Sequence, residues 1–405
     1  MKITQKWIMR LCTAAAALGI GLGGAVQHYA LGLPDHYYTE TDRPLSIQTL
    51  LPVTLRSTSP SVPQVQEAEL RLFGMIPVKT VSLTTVSPAD VYVGGEPFGI
   101  KMLMAGVMVV SLTGVPGVEG EPCPAAEAGI RVGDVIQAVN GEKIGSNADL
   151  QAAVSGSDGA AVEVTLIRGD ELHTVPVTPV FSEMTKRWQT GAWVRDSTAG
   201  IGTVTYYMRA PSGQIRFAGL GHAVCDPDTG EQIPLASGDV ISVTVNDVVS
   251  GSAGKPGELR GRFETGGSIG TLLANTPSGV FGLMKKLPKQ KARLPIGFRQ
   301  DITRGEAEIY TTVDGDAPRP FAVEIEEIRS DDNAQRDLVI HVTDPALLEL
   351  TGGIVQGMSG SPIVQHGRLV GAVTHVFVRD PTRGYGILAE HMYVQTAAFA
   401  DAPSG

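Results

Sequence analysis

A serine held between glycines is the chain's clearest offer of covalent chemistry: Gly357-Met358-Ser359-Gly360-Ser361-Pro362. Tight glycine turns let backbone N–H groups point at a nucleophile, where they stabilise the oxyanion formed when it attacks a carbonyl. Here the N–H groups of Gly357 and Ser359 would make that hole. A serine hydroxyl also needs a base. His222, 137 residues earlier, ends the apolar stretch Phe217-Ala218-Gly219-Leu220-Gly221 and precedes a small residue, Ala223. That setting suits a general base at a strand end. The reactive serine in this pattern stands three residues before the proline, which selects Ser359 and leaves Ser361 as a packing residue of the turn.

The order of His before Ser is that of chymotrypsin-like peptidases, which orient their histidine with a carboxylate. Asp226, Asp239, Asp247, Asp316 and Asp344 are candidates. Asp344 stands out because it closes the β-rich run Ile340-His341-Val342-Thr343 and lies 15 residues before Ser359; an Asp-Pro pair also commonly opens a turn. Met358 occupies the place where such enzymes usually carry Asp, so their internal ion pair cannot form. His375, on the expected strand Ala372–Phe377, borders the substrate channel or supports the triad, or is a strand histidine satisfied by a neighbour. In this fold class the residue six before the nucleophile, Gly353, lies at the base of the specificity pocket. With no carboxylate there, a buried cationic side chain would lose its hydration without return, so an uncharged residue is expected before the scissile bond.

These residues need a scaffold of many short strands, and the composition fits one. Of 405 residues 49 are Gly and 26 Pro, and aromatics are few, which favours turns over long helices. Segments such as Thr203–Met208, Ile215–Ala218, Val240–Val249, Phe281–Met284, Ala307–Val313, Phe321–Ile328 and Leu338–Val342 predict a mostly β, chymotrypsin-like double β-barrel over residues 187–400. The net charge of −10 and the lack of a basic block argue against nucleic acid as a partner. Three cysteines make no disulfide framework, and no Cys/His spacing resembles a metal site. Neither a metal nor a cofactor is expected.

Two further regions precede the barrels. Lys2, Lys6 and Arg10 flank the apolar run Leu11–Val26, so residues 1–30 read as a signal peptide or membrane anchor that sends the body across the membrane, with Gly23-x-Ala25 as a cleavage candidate. Residues 31–90, rich in Pro, Ser and Thr, read as an extension and linker open to self-cleavage, with short strands at Ala68–Phe73 and Val78–Val86. Over 91–182 the run "AAEAGIRVGDVIQAVNGEKI" resembles the core of a bacterial PDZ domain. Such domains hold a peptide's C-terminal carboxylate on a loop while the peptide adds as a strand. Gly99-Ile100, or the turn before Val107, would supply that loop. The competing reading is a packing module whose groove is closed by its own chain.

Several runs together resemble the stage IV sporulation protein B family of sporulation serine peptidases. They are Trp193–Thr203, Gly219-Leu220-Gly221-His222, "TDPALLELTGGIVQGMSGSPIVQ" from Thr343, and "GAVTHVFVRDPTRGYGI" from Gly371. The similarity spans anchor, PDZ and peptidase regions in order. It implies a His222/Asp344/Ser359 triad, no cofactor, and action in the space between the two membranes of a forespore. There such peptidases cleave a membrane-associated regulator of an intramembrane protease, leading to activation of the late mother-cell sigma factor. They also cut themselves, assisted by the PDZ domain. The alternative is a catalytically silent PDZ-bearing scaffold in the same compartment. The loop Gly114–Ala125, rich in Gly, Pro and Glu, departs from the family pattern within the PDZ region.

Overall fold

The computed structural model describes the chain apart from residues 1, 41–44, 46, 48, 58–64, 87–89, 117–119, 290, 330–333 and 400–405. Arg43-Pro44, the prolines at 60 and 63 and part of the 114–125 loop therefore lie outside the described residues.

Helix α1 (Lys2–Gly32) leads into strands β1 (His36–Glu40), β2 (Val53–Ser57), β3 (Val65–Leu72) and β4 (Ile76–Val86). They form a sheet in the order β1-β4-β3-β2. Alternation along β3 puts Ala68, Leu70 and Leu72 on one buried face, where they pack with Val81, Leu83, Tyr29 and Tyr37. Residues 31–90 thus hold a small folded layer, with β3 and β4 where the sequence suggested strands beside a linker. The C-terminal part of α1 lies on this layer, and Tyr29 Oη accepts the Leu51 N–H at 2.9 Å. Among the described residues no helix is long and apolar enough to cross a membrane.

Strands β5 (Asp90–Val93) and β6 (Pro97–Leu112) follow, and β6 is the hinge of the architecture. Its second half enters the PDZ domain: α2 (Pro124–Glu127), β7 (Val135–Val139), β8 (Glu142–Lys143), α3 (Asn147–Ser155), β9 (Val162–Arg168) and β10 (Glu171–Val177), then the short pair β11 (Val180–Ser182) and β12 (Arg187–Gln189). The Asn140-Gly141 turn has both φ angles positive, 52° and 78°, as a tight hairpin requires. Ser146 caps α3 by accepting the Asp149 N–H at 3.1 Å.

The chain returns as β13 (Ala192–Arg209), followed by β14 (Ile215–Gly219), β15 (Leu235–Val249), β16 (Glu258–Thr276), β17 (Gly279–Met284) and β18 (Arg293–Pro295). Antiparallel pairings run β6-β15-β16-β17-β14-β13 and back to β6, closing a six-stranded barrel. Phe98, Ile100, Val204, Phe217, Val240 and Leu272 fill it. Along the β6/β13 ribbon Pro97 pairs with Thr203 and Leu112 with Ala192. Residues 113–191 therefore sit at the tip of a long two-stranded ribbon that projects from the barrel.

The second barrel is closed by β19 (Gly305–Thr311), β20 (Arg319–Ile328), β21 (Leu338–Val342), β22 (Pro362–Gln365), β23 (Arg368–Phe377) and β24 (Asp380–Leu388). Helix α4 (Pro345–Thr351) leaves β21, and α5 (Ala389–Ala398) follows β24. Ile309, Val323, Ile325, Ile340 and Ile363 form its core, each from the inward-facing set of an alternating strand. The fold is mostly β, as the sequence implies. The sheet boundaries differ: β5 and the first half of β6, placed with the PDZ domain from sequence, belong to the first barrel.

Candidate active site

The two barrels meet around a cavity of about 530 Å³ lined by His222, Cys225, Gln335, Gly357, Ser359 and His375, with Ile201, Ile354 and Val355 among its apolar walls. Among the described residues no Asp, Glu, Lys or Arg side chain lines it. His222 comes from the turn after β14 in the first barrel. Ser359 and His375 come from the second, the former between α4 and β22, the latter on β23.

The serine turn is fixed from both sides. Thr203 of β13 donates its N–H to Ser359 O at 2.9 Å and its hydroxyl to Gly357 O at 2.8 Å. Thr205 donates to Gly360 O at 2.8 Å, and Gly360 N donates to Val373 O at 2.7 Å. Gly357 has φ 96° and a side chain there would press on Leu259 at 3.1 Å, so this bend of the turn requires glycine. Among the described residues the N–H groups of Gly357 and Ser359 engage no acceptor. They are the free donors an oxyanion hole needs. Ser361 is fully buried, which leaves Ser359 as the serine open to substrate.

Ser359 Oγ donates to Thr374 O at 2.7 Å, a resting position from which the hydroxyl must turn to meet a base. His222 Nδ1 lies 2.8 Å from Ala223 O. A carbonyl only accepts, so Nδ1 carries the proton and Nε2 keeps its lone pair, the tautomer a general base requires. Burial lowers the His222 pKa, and the Ala223 hydrogen bond partly offsets this. Its base form therefore persists to lower pH than that of a free imidazole.

Asp344 is not brought to His222. Its carboxylate caps α4, accepting from Ala346 N at 2.9 Å and Leu347 N at 3.2 Å and from Ala322 N at 3.2 Å. Pro345 opens that helix, so here the Asp-Pro pair starts a helix that Asp344 caps. The other candidates are also elsewhere. Asp226 is buried in an ion pair with Arg195 and accepts from Asp228 N and Thr229 N, both at 3.0 Å. Asp316 lines a separate cavity of about 430 Å³ in the first barrel, and Asp239 and Asp247 are absent from the active-site lining.

Gly353 is not the base of the pocket. After the left-handed helix end at Gly352 it turns with φ 132° and packs so closely on the Pro381 backbone that a β-carbon would lie 2.2 Å from Pro381 O. Ile354, Val355 and Gln356 line the cavity in its place. Gly99 and Ile100 form no carboxylate loop either: they lie mid-strand in β6, paired to β13 on one side and β15 on the other. Beyond them, Ala192 and Val194 of β13 pack on the PDZ core, and Asn147 N donates to Asp196 Oδ2 at 3.0 Å. The segment around Gly99-Ile100 is thus paired on both edges within the chain. The backbone acceptors Ala223 O and Thr374 O were missed from sequence because a carbonyl carries no residue-type signal.

A serine and a histidine facing one cavity between two closed six-stranded barrels, with free N–H donors at the serine, define the architecture of a chymotrypsin-like serine peptidase. Residues 186–393 match the family described as SpoIVB peptidase S55, and the chain belongs to it, which makes it a sporulation serine peptidase. Residues 118–168 match a PDZ domain. No curated protein matches the chain. Among solved structures, the PDZ domain of the SdrC-like protein from Listeria monocytogenes is 19% identical, covering 22% of this chain and 87% of that one, with a TM-score of 0.19.

Proposed function

We propose that the protein is an exported serine endopeptidase in which Ser359 is the nucleophile and His222 the general base, with Gly357 N and Ser359 N receiving the oxyanion. The observation that carries this reading is the convergence of Ser359, the Nε2-free tautomer of His222 and two unengaged N–H donors on one cavity. Ser359 Oγ attacks the scissile carbonyl as its proton passes to His222 Nε2. The carbonyl's π pair moves onto oxygen and returns to expel the amine, which takes the proton from Nε2; water then repeats the sequence on the acyl-enzyme. The uncharged lining supports an uncharged side chain before the cut.

Family membership and the sequence runs given above support the wider role. In it the enzyme works in the forespore intermembrane space, held at the membrane by its N-terminal segment. It cleaves a membrane-associated regulator of an intramembrane protease, so activating the late mother-cell sigma factor, and it cleaves itself; its PDZ domain receives peptide C-termini. A fluorophosphonate probe tests the chemistry: the purified chain should be labelled at Ser359 and the His222→Ala variant should not. A folded wild-type protein that resists labelling would instead be the silent scaffold.

A further inference from the structure

One end of the N-terminal layer carries apolar side chains that the layer does not bury. Strands β3 and β4 are joined there by the turn Phe73-Gly74-Met75. Phe73 N donates to Pro52 O at 2.8 Å, which brings the segment before β2 to the same end. Leu50 is 95% exposed, Met75 73% and Phe73 43%. Phe73 and Gly74 have φ angles of 53° and 72°. Asn-Gly is the usual filling of such a turn, because a bulky side chain is strained at positive φ. The chain instead holds an aromatic residue there, outside the layer's own core, and strain kept without benefit to packing points to a role outside the fold.

Helix α1 leaves the layer at this same end. Its last turn lies beside β4, where Lys79 Nζ donates to Leu33 O, and one turn earlier Tyr29 Oη meets Leu51 N. Leu22, Ala25 and Val26 still pack on the layer, whereas residues 13–20 are exposed throughout. The helix therefore runs on past Leu50 and the 73–75 turn as an uncovered apolar rod. Its apolar run, Leu11–Val26, has 16 residues. That is about 24 Å of helix, against a hydrocarbon core of about 30 Å. Because the end of this run is already bound to the layer, inserting the helix draws that end of the layer down to the lipid.

We propose that Leu50, Phe73 and Met75 form a bilayer-contacting tip, which enters the boundary between headgroups and acyl chains beside α1 and gives the body a second point of attachment. This rests on the membrane-held reading above and adds to its N-terminal segment. Lipid is the occupant because a bilayer covers the uncharged tip and the bare helix together, at the depth of about 5–10 Å that interfacial apolar groups reach.

The test reconstitutes the full chain into vesicles of phosphatidylcholine and phosphatidylglycerol that include a lipid with a diazirine near the top of its acyl chain. After illumination, labelled peptides are located by mass spectrometry. Peptides of α1 and those spanning residues 49–52 and 72–76 should carry lipid, while Arg319–Ile328 of the second barrel should not. The variant Leu50→Ser/Phe73→Asn/Met75→Ser changes only exposed positions, and Asn suits the φ at 73; circular dichroism verifies its fold. Its α1 labelling should match wild type while labelling of the two turn peptides falls at least about fivefold. If the triple variant does not fold, Met75→Ser alone carries the comparison, with a fall of about twofold.

Labelling confined to α1 overturns the tip and leaves the anchor standing. Turn labelling as strong in the folded variant as in wild type overturns it too, because the three side chains would then hold nothing. Cross-links between copies through the 73–75 turn in place of lipid adducts would give the patch to a second copy of this chain and overturn the proposal. Labelling of neither α1 nor the turns would remove the membrane-held reading itself, and this proposal with it.

Discussion

The two barrels share a plan and differ in what they are asked to hold. The second closes around its own core of Ile309, Val323 and Ile340, and it presents Ser359 and His375 from one tightly bonded corner. The first closes as completely, but two of its strands, β6 and β13, run on past the rim and carry the PDZ domain. It supplies His222. The difference teaches that nucleophile geometry is set within the second barrel, whereas the base and the threonines clamping the serine turn belong to a barrel tied to the recognition domain.

The sharpest way to break the comparison is at the chemistry. Ser359→Ala should lower turnover on the order of 10⁶-fold and leave the melting temperature within a degree or two of wild type. His222→Ala should do nearly the same. A variant of either kind retaining several per cent of activity against a peptide substrate would undo the assignment. Next comes the core of the second barrel: Ile340→Ala empties a fully buried position and should cost about 2–5 kcal/mol by urea unfolding.

A smaller effect is expected where the first barrel meets the PDZ domain. Val194→Asp puts a carboxylate among apolar PDZ side chains and should cost about 2 kcal/mol. The loss should appear as faster hydrogen exchange in Val135–Val139 and Val162–Arg168 than in the second barrel. Uniform loss of protection would mean that the ribbon and both barrels unfold as one unit.

Glu390 adds a pH test. It accepts the Arg299 N–H at 2.8 Å, and burial raises its pKa to about 7. The folded chain therefore holds a proton there that the unfolded chain releases near pH 4.5, and stability attributable to this site falls as pH rises between those values. Glu390→Gln should match wild type near pH 4 and exceed it by about 1–2 kcal/mol at pH 8 in thermal or urea unfolding. Equal stability gains at both pH values would locate the effect elsewhere.

The smallest change is expected from Asp344→Asn. A weakened helix cap should cost about 1 kcal/mol or less, with peptidase activity close to wild type. A loss on the order of 10⁴ with stability intact would show that Asp344 orients His222 during catalysis after all.

Much of this architecture was legible in the residues. The PDZ domain announced itself through the run "AAEAGIRVGDVIQAVNGEKI", whose Asn140-Gly141 pair admits few alternatives to a tight turn. Ser359 and His222 were found because glycines and a proline surround the nucleophile with a pattern few other structures need. Strand β16, at 19 residues, was not visible, since Gly261, Gly266, Gly267 and Gly270 read as turns when their partners are unknown; cross-strand pairing overrode that local signal. Asp344 admits two readings because a helix cap and a catalytic acid ask for the same carboxylate at the end of a strand. Gly353 misled because counting back from the nucleophile assumes a loop length, and α4 with its glycine ending takes up that length differently.

The pairing of Leu112 with Ala192 has a consequence for how the molecule was put together. Cross-strand partners are the points where a hairpin can be closed by a two-residue turn. In geometric terms residues 113–191, the larger part of the recognition domain, occupy the place of one such turn, so an Asn-Gly bridge from Leu112 to Ala192 is a feasible excision. The domain enters and leaves the barrel at a single doorway. An ancestor without it needs no rearrangement of the catalytic halves, only a shorter loop.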